Sequence, residues 1–415
     1  MKQGWEIKKL GEVCEFYRGL TYSKNDEVDF SDNIVLRSNN IDLYKNELDL
    51  TELKYINSSL LVPENKKVKK GALIICTANG SKSHLGKVAL IDRDYNYAFG
   101  GFMGLVIPKQ TLESKFIFYL MTSDNYKNFI NELSDGANIN NLKFTDLGNY
   151  EIPLPPLSEQ KRIVAILDES FAAIDKAKAN AEQNLKNAKE LFESYLQRVF
   201  ENKGEDWEEK RLGEVCSLIT DGKHGDCENQ ENSGYYFLSA KDVRNGTLLF
   251  EGARQITKSG FEETHKRTNL KPGDICMVNT GATIGRISFA PDDPRTYKTT
   301  FQKSVAIIKT ISTLIDNNFC CYILQSDLKK LVKISSGTAV PNLLLGDLKR
   351  LKINLPKSIT EQQTIVRQLD ALRAETQKLE AIYEKKLEDL EELKKSILQK
   401  AFKGELVSEP LIEVD

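Results

Sequence analysis

The sequence predicts an α+β protein in which two similar α/β domains are separated by two long antiparallel helices forming an intramolecular coiled coil, with pseudo-two-fold symmetry. Three observations carry this prediction. The first is an internal repeat with an offset of about 202 residues. Trp5 and the run LGEVC at 10–14 return as Trp207 and LGEVC at 212–216, Leu36 and Ile41 line up with Leu238 and Val243, and Gly71 lines up with Gly273. The stretch GANINNLKFTDLG opening 136–168 answers GTAVPNLLLGDL opening 337–370, and ELFESYLQRVFENKGE answers ELKKSILQKAFKGE near the C-terminus. Chance does not match five segments at one offset. The second and third observations are two apolar stripes in steps of three and four, one in each repeat, which is the spacing of a coiled-coil seam.

The chain divides into a first domain (1–157), a long helix (158–203), a second domain (204–357), a second long helix (358–404) and a tail (405–415). In the first domain the runs Asn33–Arg37, Ala72–Thr77, Lys87–Ile91 and Phe102–Ile107 are β-rich and bounded by Gly, Asn and Asp turns; a helix is expected near Glu113–Leu133. Their counterparts are Tyr235–Ser239, Asp274–Asn279, Arg286–Phe289 and Ser304–Lys309, with a helix near Thr313–Ile334. Pro155 and Pro156 stop any helix running in from the first domain. Ser158 is the expected N-cap, Glu159 stands in the positive first turn, and Gly204 is the expected C-terminal cap. The first stripe runs Val164, Leu167, Phe171, Ile174, Ala181, Leu185, Ala188, Phe192, Tyr195 and Val199, with Lys178 off pattern. A helix of this length spans ~65 Å, too long to be buried in one ordinary domain. It needs a partner helix. The second stripe supplies it with Ile365, Leu369, Leu372, Thr376, Leu379, Tyr383, Leu390, Leu393 and Ile397, after a capping box at Thr360–Gln363. Halves related by a two-fold axis place these equivalent helices antiparallel.

Composition narrows the chemistry. Forty per cent apolar and 28% charged residues is a globular composition; MKQGWEIKKL lacks the apolar core of a signal peptide, and no apolar run reaches the ~20 residues of a membrane span. A cytoplasmic location is expected. Seven cysteines without a CxxC pair, and three isolated histidines (84, 224 and 265), argue against a disulfide framework or a metal site. The net charge of −2 hides a division: residues 1–150 hold 19 basic and 19 acidic residues, 204–357 hold 22 and 19, and 358–415 hold 9 and 13. Any affinity for nucleic acid must therefore come from local patches.

No catalytic motif is complete. Gly80 to Val88 has one spacer too many for a P-loop and Val88 where a hydroxyl should bind magnesium. Leu154-Pro155-Pro156-Leu157 lacks the Asp or Asn of an adenine methyltransferase tetrapeptide, and Phe99-Gly100-Gly101-Phe102 is a poor cofactor loop. Asp292 with Asp327-Leu328-Lys329 is too short a pattern to define a nuclease.

The repeat, the helix entry LPPLSEQKRIVAILD (154–168), the motif SLITDGKHGD (217–226) and the matched helix ends LQRVF and LQKAF resemble the specificity subunit of a type I restriction-modification system, the HsdS-like family. The resemblance covers the whole chain, with one departure: the second helix entry reads LPKSITEQ, with one proline lost and one residue inserted. It implies a non-catalytic subunit that reads double-stranded DNA. Each globular domain would be a target recognition domain for one half of a bipartite, asymmetric site. The helices would set the gap and dock two methyltransferase (M) subunits, which restriction/translocase (R) subunits join. S-adenosylmethionine, ATP and magnesium would belong to those partners, with no cofactor in this chain. The specificity component of a type II (IIB/IIG-like) enzyme, and a coiled-coil adaptor that does not touch DNA, stay open as alternatives.

DNA reading calls for Arg, Lys, Asn, Gln, Ser and Thr on Gly-rich loops. In the first domain the candidates are Asn79, Ser81, Lys82, His84 and Lys87 on the loop joining two predicted strands, and Arg37, Asn39 and Asn40 after an earlier strand. In the second they are Thr280, Thr283 and Arg286, then Lys241 at the position matching 37–40, and Lys223 and His224 of the family motif, whose Asp221-Gly222 is read as a turn. Arg18, Lys24, Lys143 and Arg267 are further candidates for phosphate contact.

Overall fold

The computed structural model of the protein describes residues 3–135, 141–244, 246–335 and 342–406. The matched openings 136–140 and 337–340 and most of the tail, 407–415, lie outside the described residues. Two compact units emerge, and their boundary crosses the sequence-based division. The first unit comprises 1–182 with 384–415, and the second comprises 183–383, so each globular domain takes half of each long helix.

In the first unit the strands are β1 (Glu6–Lys9), β2 (Cys14–Arg18), β3 (Glu27–Val28), β4 (Asn33–Leu36), β5 (Lys54–Ile56), β6 (Leu73–Cys76), β7 (Val88–Leu90), β8 (Ala98–Phe99), β9 (Met103–Pro108) and β10 (Glu151–Leu154). One antiparallel sheet has the order β2-β9-β6-β7, another the order β3-β5-β4-β8 with β4 parallel to β8, and β1 pairs with β10. Strand β6 is buried along its whole length, as its apolar run Leu73–Cys76 requires. The expected helix near 113–133 is two helices, Ser114–Leu120 and Asp124–Asp135, with Ser123 at the junction donating its hydroxyl to the Leu120 carbonyl and accepting the Tyr126 amide.

The second unit repeats the plan with β11 (Trp207–Arg211), β12 (Cys216–Asp221), β13 (Tyr236–Leu238), β14 (Val243–Arg244), β15 (Thr247–Leu248), β16 (Ile275–Val278), β17 (Ile287–Phe289), β18 (Thr299–Phe301), β19 (Val305–Thr310) and β20 (Lys352–Pro356). Its main sheet, β12-β19-β16-β17, has the same order as β2-β9-β6-β7, and β13 runs parallel to β18 as β4 does to β8. The expected single helix near 313–334 is again two, Asn317–Ser326 and Leu328–Ser335. A helix at Lys258–Thr268, capped by Thr257 through its bond to the Gly260 amide, has no counterpart in the sequence-based scheme. All seven cysteines are buried and free.

The long helices run Leu157–Glu201 and Ile359–Lys403, 45 residues each. Within the first unit they are antiparallel: Asp175 pairs with Lys394 at 3.3 Å and Lys178 with Glu391 at 2.5 Å, the partner number falling as the first rises. Lys178, the residue off the apolar pattern, thus serves as the donor of a bond to the second long helix. Most stripe residues are buried or half-buried, but Leu379 and Leu393 are 38% and 42% exposed, while Ile163, Leu196 and Val366, absent from the expected stripes, are buried. The globular domains pack on the helix ends and enlarge the buried face there beyond a coiled-coil seam.

Both helix starts differ from expectation by a residue or two. The Pro156 carbonyl accepts the Glu159 and Gln160 amides, so Ser158 lies inside the first turn. At the second helix Ser358, one residue before the helix, accepts the Glu361 amide on its hydroxyl at 3.4 Å and the Gln362 amide on its carbonyl, leaving Thr360 in the first turn. The left-handed C-terminal glycine is Gly404 (φ 73°), whereas Gly204 has no positive φ and packs against the Trp207 indole.

The glutamine common to both helix entries has a buried role. Gln160, 2% exposed, accepts the Glu113 amide and donates to the Pro155 carbonyl, both at 2.9 Å. Gln362, fully buried, accepts the Asp316 amide at 2.8 Å and donates to the carbonyls of Leu314 and Pro356. Each glutamine ties a linker and the start of a domain helix to its long helix. The residue inserted in the second linker leaves this tie intact. A Tyr–Asp pair repeats the link about two turns further on: Tyr119 donates to Asp168 at 2.5 Å and Tyr322 donates to Asp370.

Candidate nucleic-acid interface

The candidate residues of the first unit lie on loops that converge on the segment Phe99–Met103, between β8 and β9. The Leu20 amide bonds the Phe99 carbonyl at 2.7 Å, the Gly100 amide bonds Leu36, and the Thr77 and Ala78 amides both bond the Phe102 carbonyl, at 2.9 and 3.1 Å. Segments 19–21, 36–40 and 77–87 are thereby fixed around one short loop. Only glycine fits at position 19, because a Cβ there would stand 1.9 Å from the Gly100 carbonyl oxygen.

Side chains extend this network. Asn79 donates to Ser38 Oγ at 3.0 Å and accepts the Ser81 amide, joining two of the loops. Asn39, Ser81 and Lys82 are exposed, as are Arg18, Lys24 and Lys143, and Arg18 lies over the Phe144 ring. Arg37 is half-buried with its Nε enclosed and unpartnered. Two expected DNA contacts are instead parts of the scaffold. Asn40, 1% exposed, accepts the Arg37 amide and donates to the carbonyls of Asp49 and Glu52, so both of its donors are used and its carbonyl oxygen is buried away from any base. Lys87, 8% exposed, gives its ammonium to the Ile41 carbonyl at 2.8 Å. Burial pulls its pKa down, and a buried ammonium cannot reach a phosphate. His84 is half-buried with Nδ1 unpartnered, and burial, with Lys87 nearby, holds its imidazole below the usual histidine value.

In the second unit the same geometry recurs around Phe301–Val305. The Lys223 amide bonds the Phe301 carbonyl at 2.7 Å, Gln302 bonds Leu238, and Asn279 bonds the Ser304 carbonyl. A Cβ on Gly222 would stand 2.0 Å from the Phe301 carbonyl oxygen. The Asp221-Gly222 pair is therefore a strand end and a close approach, and the expected turn is not formed there. Asp221 is buried and accepts from Arg267 and from His224, the latter at 3.1 Å, while Lys223 pairs with Glu263 at 3.1 Å. The Lys223 ammonium, the His224 ring and the Arg267 guanidinium are thus each held by a carboxylate. Lys241 is exposed and Thr283 half-buried. Thr280 donates to Asn342 at 2.8 Å, bringing segment 342–343 to this loop as the Leu142 amide, bonded to Thr77, brings 141–142 to the first.

The two units repeat scaffold roles with different residues. Arg286 donates to the Val243 carbonyl at 3.4 Å, where Lys87 donates to Ile41. Asp242 accepts the Ser239 amide, where Asn40 accepts that of Arg37. The segments at 99–103 and 301–305, the junctions of both clusters, carry Phe102, which is 75% exposed, and the exposed Lys303. None of these was a sequence candidate. The Gly100–Gly101 pair between two apolar strands was the available signal. Among the described residues no group of three or more His, Cys, Asp or Glu is arranged to hold a metal ion, and no helix is long and apolar enough to cross a membrane.

Comparison with known proteins agrees with this architecture. The family model described as "Type I restriction modification DNA specificity domain" matches residues 2–186 and again 204–390. The chain is 28% identical over 429 residues to the type I restriction enzyme EcoKI specificity subunit of Escherichia coli strain K12, covering 99% of this chain and 90% of that protein. The fold matches a solved chain described as the structural basis of complex assembly and conformational transition of the type I R-M system, with a TM-score of 0.78, 23% identity, and coverage of 98% of this chain and 99% of that one. It also matches the HsdS subunit from Thermoanaerobacter tengcongensis, with a TM-score of 0.65, 22% identity and 98% of both chains covered.

Proposed function

The chain belongs to the type I restriction-modification DNA specificity family, and we infer that it is the sequence-reading subunit of such an enzyme. In this reading each globular domain recognises one half of a bipartite, asymmetric site through its loop cluster. The observation that carries it is the repeated cluster: one backbone scaffold, built twice, presents different side chains in the two copies. A common frame with different side chains suits two different half-sites. The chain contributes recognition and scaffolding rather than catalysis. Two methyltransferase subunits and the restriction subunits dock on it, bringing S-adenosylmethionine, ATP and magnesium. Phosphate contacts position the assembly and base contacts select the site.

The test is to co-purify the chain with its methyltransferase partner and map adenine methylation in a host carrying both. A split site with two fixed half-sites is expected. Methylation without sequence preference, with both partners folded, would overturn the reading.

A further inference from the structure

The phenyl ring of Phe102 is not used by the fold. It is 75% exposed, yet it stands on one of the most firmly tied backbone segments of the first unit. Its carbonyl accepts the Thr77 amide at 2.9 Å, the Ala78 amide at 3.1 Å and the Thr77 hydroxyl at 3.0 Å. The adjoining Gly100 accepts the Met103 amide at 2.8 Å and donates to Leu36 at 2.9 Å. The two residues before it, Gly100 and Gly101, have no side chains to shield it. A large apolar group is thus displayed from a fixed backbone, in the cluster that also carries Asn79, Ser81 and Lys82.

Resting on the DNA-reading assignment above, we propose that Phe102 is a specificity-determining residue of the first half-site, packing its ring against the C5-methyl of a thymine in the major groove. A phenyl ring has no donor or acceptor for a base edge, so it can select only by apolar contact. Thymine alone offers an apolar group there, and the minor groove offers none. Packing on a methyl leaves the duplex stacked, which suits a ring on a pinned loop better than insertion between bases. The second unit has Ser304 at the matching position, where the Asn279 amide bonds the carbonyl as Thr77 does that of Phe102. The two domains therefore differ in chemistry at one structurally equivalent point.

The test uses the complex with its methyltransferase partner and duplexes carrying the methylated site, in which each thymine of the half-site read by residues 1–157 is replaced in turn by deoxyuridine. In the wild-type complex one replacement is expected to weaken binding about fourfold, the worth of one buried methyl group. With Phe102→Ala that replacement has no further effect, binding to the intact site falls about tenfold, and its salt dependence is unchanged because no phosphate contact is lost. Phe102→Leu, which keeps an apolar side chain, retains part of the thymine preference. Tryptophan fluorescence confirms that the variants are folded. Equal deoxyuridine effects in wild type and Phe102→Ala, or no deoxyuridine effect in the wild type, overturn the role of Phe102. Absence of any site preference in the wild-type complex overturns the DNA-reading assignment itself.

Discussion

Replacing Gln160 by Met isolates the hydrogen bonds that tie the first domain to its long helix. Methionine keeps the length and nearly the volume of glutamine, so the cavity term is small. What is lost is the acceptor for the Glu113 amide and the donor for the Pro155 carbonyl, at a site only 2% exposed. Each buried partner left without a hydrogen bond costs about 1–3 kcal/mol, and the pair about 2–4 kcal/mol once some relaxation is allowed. The molecule has two tryptophans, Trp5 in the core of the first unit and Trp207, half-buried, packed against that of the second. On a Trp207→Phe background, Trp5 fluorescence in urea reports the first unit alone. Gln160→Met should shift that transition to lower urea. The same substitution on a Trp5→Phe background should move the Trp207 transition much less. A Trp5 transition shifted by less than about 0.5 kcal/mol would refute the argument, since it would mean that water or a moved backbone satisfies both groups.

Three further outcomes follow from the same geometry. Gly222→Ala would press a Cβ to 2.0 Å from the Phe301 carbonyl oxygen and 2.5 Å from that of Gln302, backbone atoms that cannot rotate away; a loss of about 3 kcal/mol or more is expected in urea unfolding, against less than about 0.5 kcal/mol for Gly80→Ala, whose added methyl meets nothing within 4 Å. His84 is held below its ordinary value by burial, so it stabilises the fold when neutral; that stability is complete above the ordinary value of 6.5 and is lost as pH falls from there through the lowered value, and a Trp5-monitored thermal scan should show weakening below pH 6.5 that His84→Gln removes. Lys82→Ala should weaken DNA binding on all sequences alike and lower the salt slope by about one, whereas exchanging residues 1–150 for those of another family member should change one half-site and leave the other as it was.

Much of this architecture is local in origin and so was legible in the sequence. Strand alternation, turn residues and heptad spacing act over a few residues, and the repeat reported that two domains share one plan. The two long helices, the four strands expected in each domain and the Gly-rich loops stand where those signals put them, within one or two residues, whereas β2 and β12, which complete the main sheets, were not among the expected strands. The site was read less well. A lysine or asparagine on a polar loop has the same chemistry whether its partner is a phosphate, a base or a carbonyl of its own chain. Lys87 turned inward because the Ile41 carbonyl, 46 residues away, came within reach, and Asn40 because the chain after it folds back to present the Asp49 and Glu52 carbonyls.

The sequence by itself determined the number of domains, their order, the presence of a paired long-helix element and the family to which these belong. Tertiary structure alone decided which side chains of that plan are free to meet another molecule. It exposed Leu379 and Leu393, buried Val366 and Ile163, made Gln160 and Gln362 ties between domain and helix, and brought Phe102 to the junction of three loops. The physical reason is range. Helix and strand preferences are set by neighbours a few residues away, whereas burial and hydrogen-bond partnership also depend on segments as far apart as the 47 residues between Glu113 and Gln160, and only the folded chain brings those together.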